Sequence, residues 1–384
     1  MLELSSRTIS DAALPRDPEG IFEKVLRQRK ILKLIWHLTN RCNYSCSYCY
    51  VKVNRFENDL PTEQMLAIAD TINDARVATV QLTGGEVLLR PDFLAIVGRL
   101  SSEIKLGVAT NGSLLTDRIV RALADREAFI SISIDHFRHE QNVITRIGAD
   151  TEALLATVRR LVDAGLKVGV STVVTRANVQ DIEAIASHFR QLGVSIWKAI
   201  VLSDLGEATD SGMYARSSLT YDEQEQAIRH LYRLRRELLS TQFEIRSSAT
   251  PHPAFFETFG QERGCGSSCY CGYVKAVVKH DGGVVPCDSI RYPGDYLHKG
   301  FAVPSLLDGG SLRAIFDQSP LFQYWALATA GSVPAGCSNC EYFAQCRGFC
   351  RGNSMALAGK PPGLFGPTTE CARRTRLRHE RGMR

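Results

Sequence analysis

The sequence has no apolar run approaching the roughly 20 residues that a membrane-crossing helix needs, which excludes a helical membrane protein. Met1 to Gly20 mixes acidic and basic residues without an apolar stretch, so the marks of a secretory signal are missing and a cytoplasmic location is expected. Charge of one sign is lacking too: the formal net charge of +5 is too mild to indicate a nucleic-acid partner. Six arginines crowd into residues 373–384 and read as a solvated basic tail. Cysteine is absent from the 215 residues between Cys49 and Cys265, although the chain holds 12. Three of these are Cys42, Cys46 and Cys49, and nine fall between Cys265 and Cys371. In a chain without an export signal thiols stay reduced, so two such groups point to metal ligation rather than to disulfides.

The cysteine-free stretch alternates in character. Apolar, branched runs at 31–38, 78–83, 105–109, 129–134, 166–174 and 194–201 read as strands. Between them lie helix-like segments at 62–76, after Pro91, from Thr116, at 151–164 and at 179–192, two of them closed by Gly165 and Gly193. Six strand–helix units imply a parallel sheet covered by helices, either a partly closed barrel or an open doubly wound sheet. A long helix at 221–240 and a strand at 243–247 then lead into a segment dominated by glycine, proline and cysteine. That segment cannot build a large apolar core, so its order is expected to come from cross-links or metal clusters. The expected organisation is a lead-in at 1–30, a core at 31–250, a cysteine-rich domain at 251–372 and a basic tail at 373–384.

Cys42-x3-Cys46-x2-Cys49 lies in a loop after the first strand. Three thiolates are one fewer than a four-iron cluster has irons, which leaves one iron open for chemistry. A zinc knob with a distant fourth ligand is the alternative for this spacing alone. Tyr48 directly precedes the third cysteine, and Gly84-Gly85-Glu86, Thr110-Asn111-Gly112 and Ser131-Ile132-Ser133-Ile134-Asp135 close later strands.

With these residues the sequence resembles the radical S-adenosylmethionine (SAM) superfamily. The resemblance implies a partial parallel (β/α)6 barrel, a [4Fe–4S] cluster on Cys42, Cys46 and Cys49, and SAM cleaved to a 5′-deoxyadenosyl radical. It further implies SAM contacts from Gly84, Gly85 and Glu86, with Glu86 as counter-charge to an ammonium, and from Asn111, Ser133 and Arg146. Three departures stand out: Val87 where proline usually follows, Gly148 one position late after Arg146, and His136 where glycine usually follows the aspartate. His136 either reaches the substrate or caps the strand.

Cys337-x2-Cys340-x5-Cys346-x3-Cys350, followed by Cys371 and preceded by Cys271 and Cys287, resembles the SPASM domain of peptide-modifying radical SAM enzymes. By that resemblance one auxiliary cluster takes Cys265, Cys271, Cys287 and Cys350, and a second takes Cys337, Cys340, Cys346 and Cys371. This makes three [4Fe–4S] clusters, with an external electron donor such as a flavodoxin or ferredoxin. Eleven ligands leave one of twelve cysteines over: Cys269 is the expected spare, a candidate hydrogen-atom donor, although Cys265 and Cys269 could trade roles. Asp288, beside Cys287, is the candidate base. The expected substrate is a peptide or protein undergoing oxidation, cross-linking or epimerisation, as in natural-product and sulfatase maturases. The alternative is a small molecule such as an aminocyclitol or sugar in antibiotic assembly. About 30 residues before the first strand are too few for a fused leader-binding domain, so the peptide route is expected to use a separate leader-peptide-binding protein or none.

Overall fold

The computed structural model describes residues 24–25, 27–50, 59–203, 206–238, 242–248, 252–259, 269–288, 290, 301–331, 333, 337–346, 348, 350–351 and 380. Its strands are β1 (Lys33–His37), β2 (Ser45–Cys46), β3 (Thr79–Thr83), β4 (Lys105–Thr110), β5 (Phe129–Ser133), β6 (Arg146–Ile147), β7 (Lys167–Val174), β8 (Ile196–Val201), β9 (Glu244–Ser247), β10 (Lys275–Val278) and β11 (Val284–Val285). Nine of them form one sheet in the order β11-β10-β1-β3-β4-β5-β7-β8-β9. Only the β10–β11 hairpin is antiparallel within it.

The six expected strand–helix units are all present, and β9 adds a seventh parallel strand beside β8. Alternation decides which face meets the helices. In β8, Trp197, Ala199 and Val201 are buried while Ile196, Lys198 and Ile200 point the other way. The Trp197 ring packs against Phe189 of the helix Ile182–Gln191, so the buried set is the outer one. Trp36 and Trp197 are fully buried; truncating either to alanine is expected to cost about 3–5 kcal/mol. The helices carry matching stripes, as in Thr62–Asp74, which buries Met65, Ile68, Ala69 and Ile72.

Lys33 on β1 and Lys198 on β8 lie within electrostatic reach of each other. Four strands separate β1 from β8, which would place them about 24 Å apart in a flat sheet. The sheet therefore curls into a partial barrel. The segments after β1, β3, β4 and β5 all emerge at the C-terminal end of parallel strands, where the sites of such barrels are built. Past residue 250 the sheet continues, because the β10–β11 hairpin from the cysteine-rich segment pairs with β1.

Candidate active site

The path into the first cysteine loop is held by backbone contact. Leaving β1, the carbonyl of Thr39 accepts from Gly85 N at 2.9 Å and that of Arg41 accepts from Glu86 N at 2.7 Å. A Cβ on Gly84 would lie 2.3 Å from Thr39 O, and one on Gly85 would lie 2.1 Å from Arg41 O. Gly84 also has φ +147°, so both glycines are dictated by close approach of two backbones. Beyond this contact the loop runs through β2, which pairs antiparallel with β6 so that Cys46 stands opposite Arg146.

Arg146 is buried and central. It donates from Nη1 to the Tyr48 hydroxyl at 2.9 Å, and its guanidinium lies 5.7 Å from the centre of the Tyr44 ring. Behind Tyr48 is the buried Asp135 carboxylate, which accepts from Val173 N at 2.8 Å and from the Thr145 hydroxyl. Burial pushes Asp135 up, and Arg146 opposes that shift. The Cys42, Cys46 and Cys49 thiols lie within electrostatic reach of one another. Burial raises the Cys46 thiol to about 11 and raises Cys42 as well, again opposed by Arg146. One nitrogen of Arg146, Nε, is buried without a hydrogen-bond partner among the described residues.

Glu86 does not open onto this space. Its side chain is fully buried: Oε1 accepts from Leu88 N at 3.0 Å and from the Thr110 hydroxyl at 2.7 Å, and Oε2 accepts from Asn111 N at 2.6 Å. Burial still raises its pKa. Asn111 in turn donates from Nδ2 to Asn43 Oδ1 at 2.7 Å, tying the end of β4 to the residue after Cys42. Ser133 ends β5, half-buried. His136 is fully buried, accepts at Nδ1 from Arg138 N, and sits 3.2 Å from Asp181 through Nε2. Its ring thus ties the turn after β5 to Asp181.

In the second group, Cys271 stands between Cys269 and Cys287, hydrogen-bonded to both. As thiols, Cys269 ionises first through its bond to Cys271, and Cys271 is held well above the usual range. Arg351 is buried, with Nη1 and Nη2 lacking hydrogen-bond partners among the described residues, and it lies within electrostatic reach of Cys269, Cys337, Cys346 and Cys350. Cys265 and Cys371 lie outside the described residues. Asp288 bridges elements: Oδ1 is 3.0 Å from His37 Nε2 and Oδ2 accepts from Lys275 Nζ at 3.0 Å. Burial would raise its pKa, but Lys275 and His37 prevail and hold it far below the usual carboxylate range.

The sequence profile of the Radical SAM superfamily matches residues 36–189, from β1 to the helix before β8. Over this stretch the chain is similar to the radical SAM superfamily. It is 26% identical over 369 residues to mycofactocin maturase MftC of Mycobacterium tuberculosis, covering 91% of this chain and 89% of that one. To the AdoMet-dependent heme synthase of Oleidesulfovibrio alaskensis it is 25% identical over 356 residues, covering 85% and 84%. The fold also matches Streptococcus suis SuiB bound to precursor peptide SuiA, with a TM-score of 0.70 at 15% identity over 91% of this chain and 78% of that one.

Radical SAM enzymes use a [4Fe–4S] cluster and SAM, and the residues present fit both. Three thiols with a buried cation beside them suit an anionic iron–sulfur cluster, and the orphaned Nε of Arg146 suits a carboxylate such as that of SAM. Among the described residues no three His, Cys, Asp or Glu side chains close on a single metal ion. No described helix is long and apolar enough to cross a membrane. Sequence reasoning missed Arg351, although its place directly after Cys350 was a usable signal, and it missed Asn43 and Thr145, which no spacing marks.

Proposed function

We propose that this radical SAM enzyme abstracts a hydrogen atom from a peptide or protein. The observation that carries the reading is the convergence of Cys42, Cys46 and Cys49 with Arg146 at the C-terminal mouth of the barrel. Likeness to MftC over nine-tenths of the chain supports the substrate class, ahead of an aminocyclitol or sugar. When bound, the cluster and SAM supply the abstracting radical. Cys42, Cys46 and Cys49 hold the cluster, Arg146 meets the SAM carboxylate, and Ser133 offers a hydroxyl nearby. Gly84 and Gly85 let the backbone of the mouth close, while Glu86, with both oxygens engaged, fixes Thr110 and Asn111 rather than serving as the ammonium's free counter-charge. Cys269, hydrogen-bonded with Cys287 to Cys271, would take the place of Cys265 as a ligand beside Cys350 in one auxiliary cluster, and Cys337, Cys340, Cys346 and Cys371 would hold the other; Arg351, within reach of Cys269, Cys337, Cys346 and Cys350, would offset their charge. Asp288 is the candidate base beside Cys287, and its pairing with Lys275 and His37, which holds it ionised, makes it a weak proton acceptor until that pairing loosens. The electron donor and a separate leader-binding protein are the expected partners.

The test is anaerobic reconstitution followed by iron analysis, with about twelve irons per chain expected for three four-iron clusters. Replacing Cys42, Cys46 and Cys49 with alanine should remove about a third of the iron and abolish SAM cleavage. Reduced enzyme with SAM is then given short peptides encoded beside its gene, and their mass is followed. Peptide unchanged while a tetrapyrrole is turned over would transfer the reading to the chemistry named for the heme synthase relative.

A further inference from the structure

Four cations lie on the inner face of the barrel, and of these Lys33, Lys198 and Arg246 take no part in the site described so far. Lys33 and Lys275 are register partners on β1 and β10, and Lys198 and Arg246 are register partners on β8 and β9. Partners in a parallel pair project to the same side of the sheet. Here that side is opposite Leu34, Trp36, Trp197 and Ile245, all buried beneath the helices. The curl of the barrel brings the two pairs towards one another, so that Lys198 feels Lys33, Lys275 and Arg246.

Two of the four cations are matched. Lys275 Nζ lies 3.0 Å from Asp288 Oδ2, and Arg246 makes bonds of 2.9 and 2.7 Å to Glu244. Lys33 and Lys198 have no hydrogen-bond or ion-pair partner among the described residues, although both are exposed to solvent. Burial lowers the proton affinity of each; Lys198 is opposed by Lys33, Lys275 and Arg246, whereas at Lys33 the effect of Lys275 and Arg246 is countered in part by Asp288 and Cys271. A partly buried cation that faces cations, as Lys198 does, costs free energy, and an anion between it and Lys33 recovers it. The neighbouring His37 adds no charge, since burial lowers its pKa to about 4.

We propose that this face is an anion-recognition site that takes a substrate carboxylate between Lys33 and Lys198. Its position along β1 gives it a purpose. Lys33 and His37 are four positions apart on β1, beyond which the chain enters the cysteine loop, so the site lies about 13 Å below the mouth. An extended peptide with a carboxylate held there would present a residue about three to four positions away to the radical. This step rests on the reading of the mouth as the radical site and of the substrate as a peptide.

The test uses reconstituted enzyme and calorimetric titration with acetyl-Glu-Glu-amide, its uncharged isostere acetyl-Gln-Gln-amide, and glutarate as a dicarboxylate without a peptide. The Glu-Glu peptide is expected to bind roughly tenfold or more tightly than the Gln-Gln peptide. That advantage should shrink between about 0.1 M and about 1 M salt, as the screening length falls from about 10 to about 3 Å. It should also vanish in the Lys33→Met, Lys198→Met double variant. Equal affinity for the two peptides in the wild-type enzyme overturns the proposal, and that comparison stands whether or not the variant folds. Glutarate bound in competition with neither peptide, at a site the lysine substitutions leave intact, overturns it as well. Glutarate bound through the two lysines while neither peptide binds would keep the anion site and remove the peptide. SAM cleavage, measured separately, reports on the mouth alone.

Discussion

Substituting alanine at Gly85 tests whether backbone contact fixes the cysteine loop. The added Cβ would stand 2.1 Å from Arg41 O and 2.6 Å from Arg41 C, where real contacts keep beyond 3.0 Å, so the two backbones must separate by about 1 Å. Both atoms belong to the main chain, and no side-chain rotation relieves the clash. Overpacking of this kind costs about 1–3 kcal/mol. Weakening of the Gly85 N to Thr39 O and Glu86 N to Arg41 O bonds adds about 1 kcal/mol each. The expected loss is therefore about 3–5 kcal/mol, read by anaerobic thermal and denaturant unfolding. Because Arg41 adjoins Cys42, the displacement also reaches the cluster ligands, and misplacement by about 1 Å is expected to cut SAM cleavage on the order of a hundredfold. Gly98→Ala is the control. In the helix Phe93–Arg99 an added Cβ meets nothing within 4 Å, and alanine there should stabilise by roughly 0.5–1 kcal/mol. Wild-type stability and wild-type SAM cleavage in Gly85→Ala would refute the reasoning.

Three further outcomes are expected. Tyr48→Phe leaves Arg146 Nη1 without its 2.9 Å acceptor and should cost about 1–3 kcal/mol and weaken SAM binding in equilibrium dialysis; no change in either measurement would remove Tyr48 from the site. Cys269→Ala should lower iron content whereas Cys265→Ala should not, and the reverse pattern would return Cys269 to the role of spare thiol. Burial lowers His37 and His252 from 6.5 to about 4, so between those pH values the unfolded chain binds more protons and stability rises with pH. Acidification through this window should cost on the order of 3 kcal/mol for each histidine, and a thermal midpoint insensitive to pH there would contradict their burial as neutral rings.

The sequence disclosed the barrel because each of its strands is a compact branched run, and each helix between them has an apolar stripe of its own period. Where periodicity is short it failed. The hairpin β10–β11 contributes Lys275–Val278 and Val284–Val285, too few residues in a glycine- and cysteine-rich setting to announce a pairing with β1. The two cysteine groups stand out in the sequence because thiols at such fixed spacing are rare for other reasons. The geometry of Glu86 was not legible, since nothing in Gly84-Gly85-Glu86 says that the carboxylate turns inward onto Thr110 and Asn111. His136 was open for the same reason, and its partner Asp181 lies 45 residues away. The inner lysines were invisible: Lys33, Lys198 and Lys275 sit singly on three strands and become a group only when the sheet curls.

The pairing of β10 with β1 bears on how the two cysteine groups work together. β1 is flanked by β3, which ends in the glycine pair that grips Thr39 and Arg41, and by β10, whose hairpin is framed by Cys271 and Cys287. Leu34 therefore has Val80 on one side and Ala276 on the other, about 4.8 Å away in each direction. One strand thus carries both registers. Asp288 adds a second tie across the same junction, joining His37 at the end of β1 to Lys275 at the start of β10. The mouth and the first half of the auxiliary cysteine group are thereby fixed by main-chain hydrogen bonds rather than by a flexible linker. On the proposed reading, electron transfer from a substrate radical to an auxiliary cluster would need such a fixed separation. Within this arrangement an Asp288→Asn variant should disturb the spacing before it removes a base: it loses the charge that holds Lys275 while keeping an acceptor for it. If proton transfer is the role of Asp288, product formation falls while the spin coupling between reduced clusters, read by electron paramagnetic resonance, stays as in the wild type. If Asp288 is instead the clasp between β1 and β10, the coupling changes together with product formation.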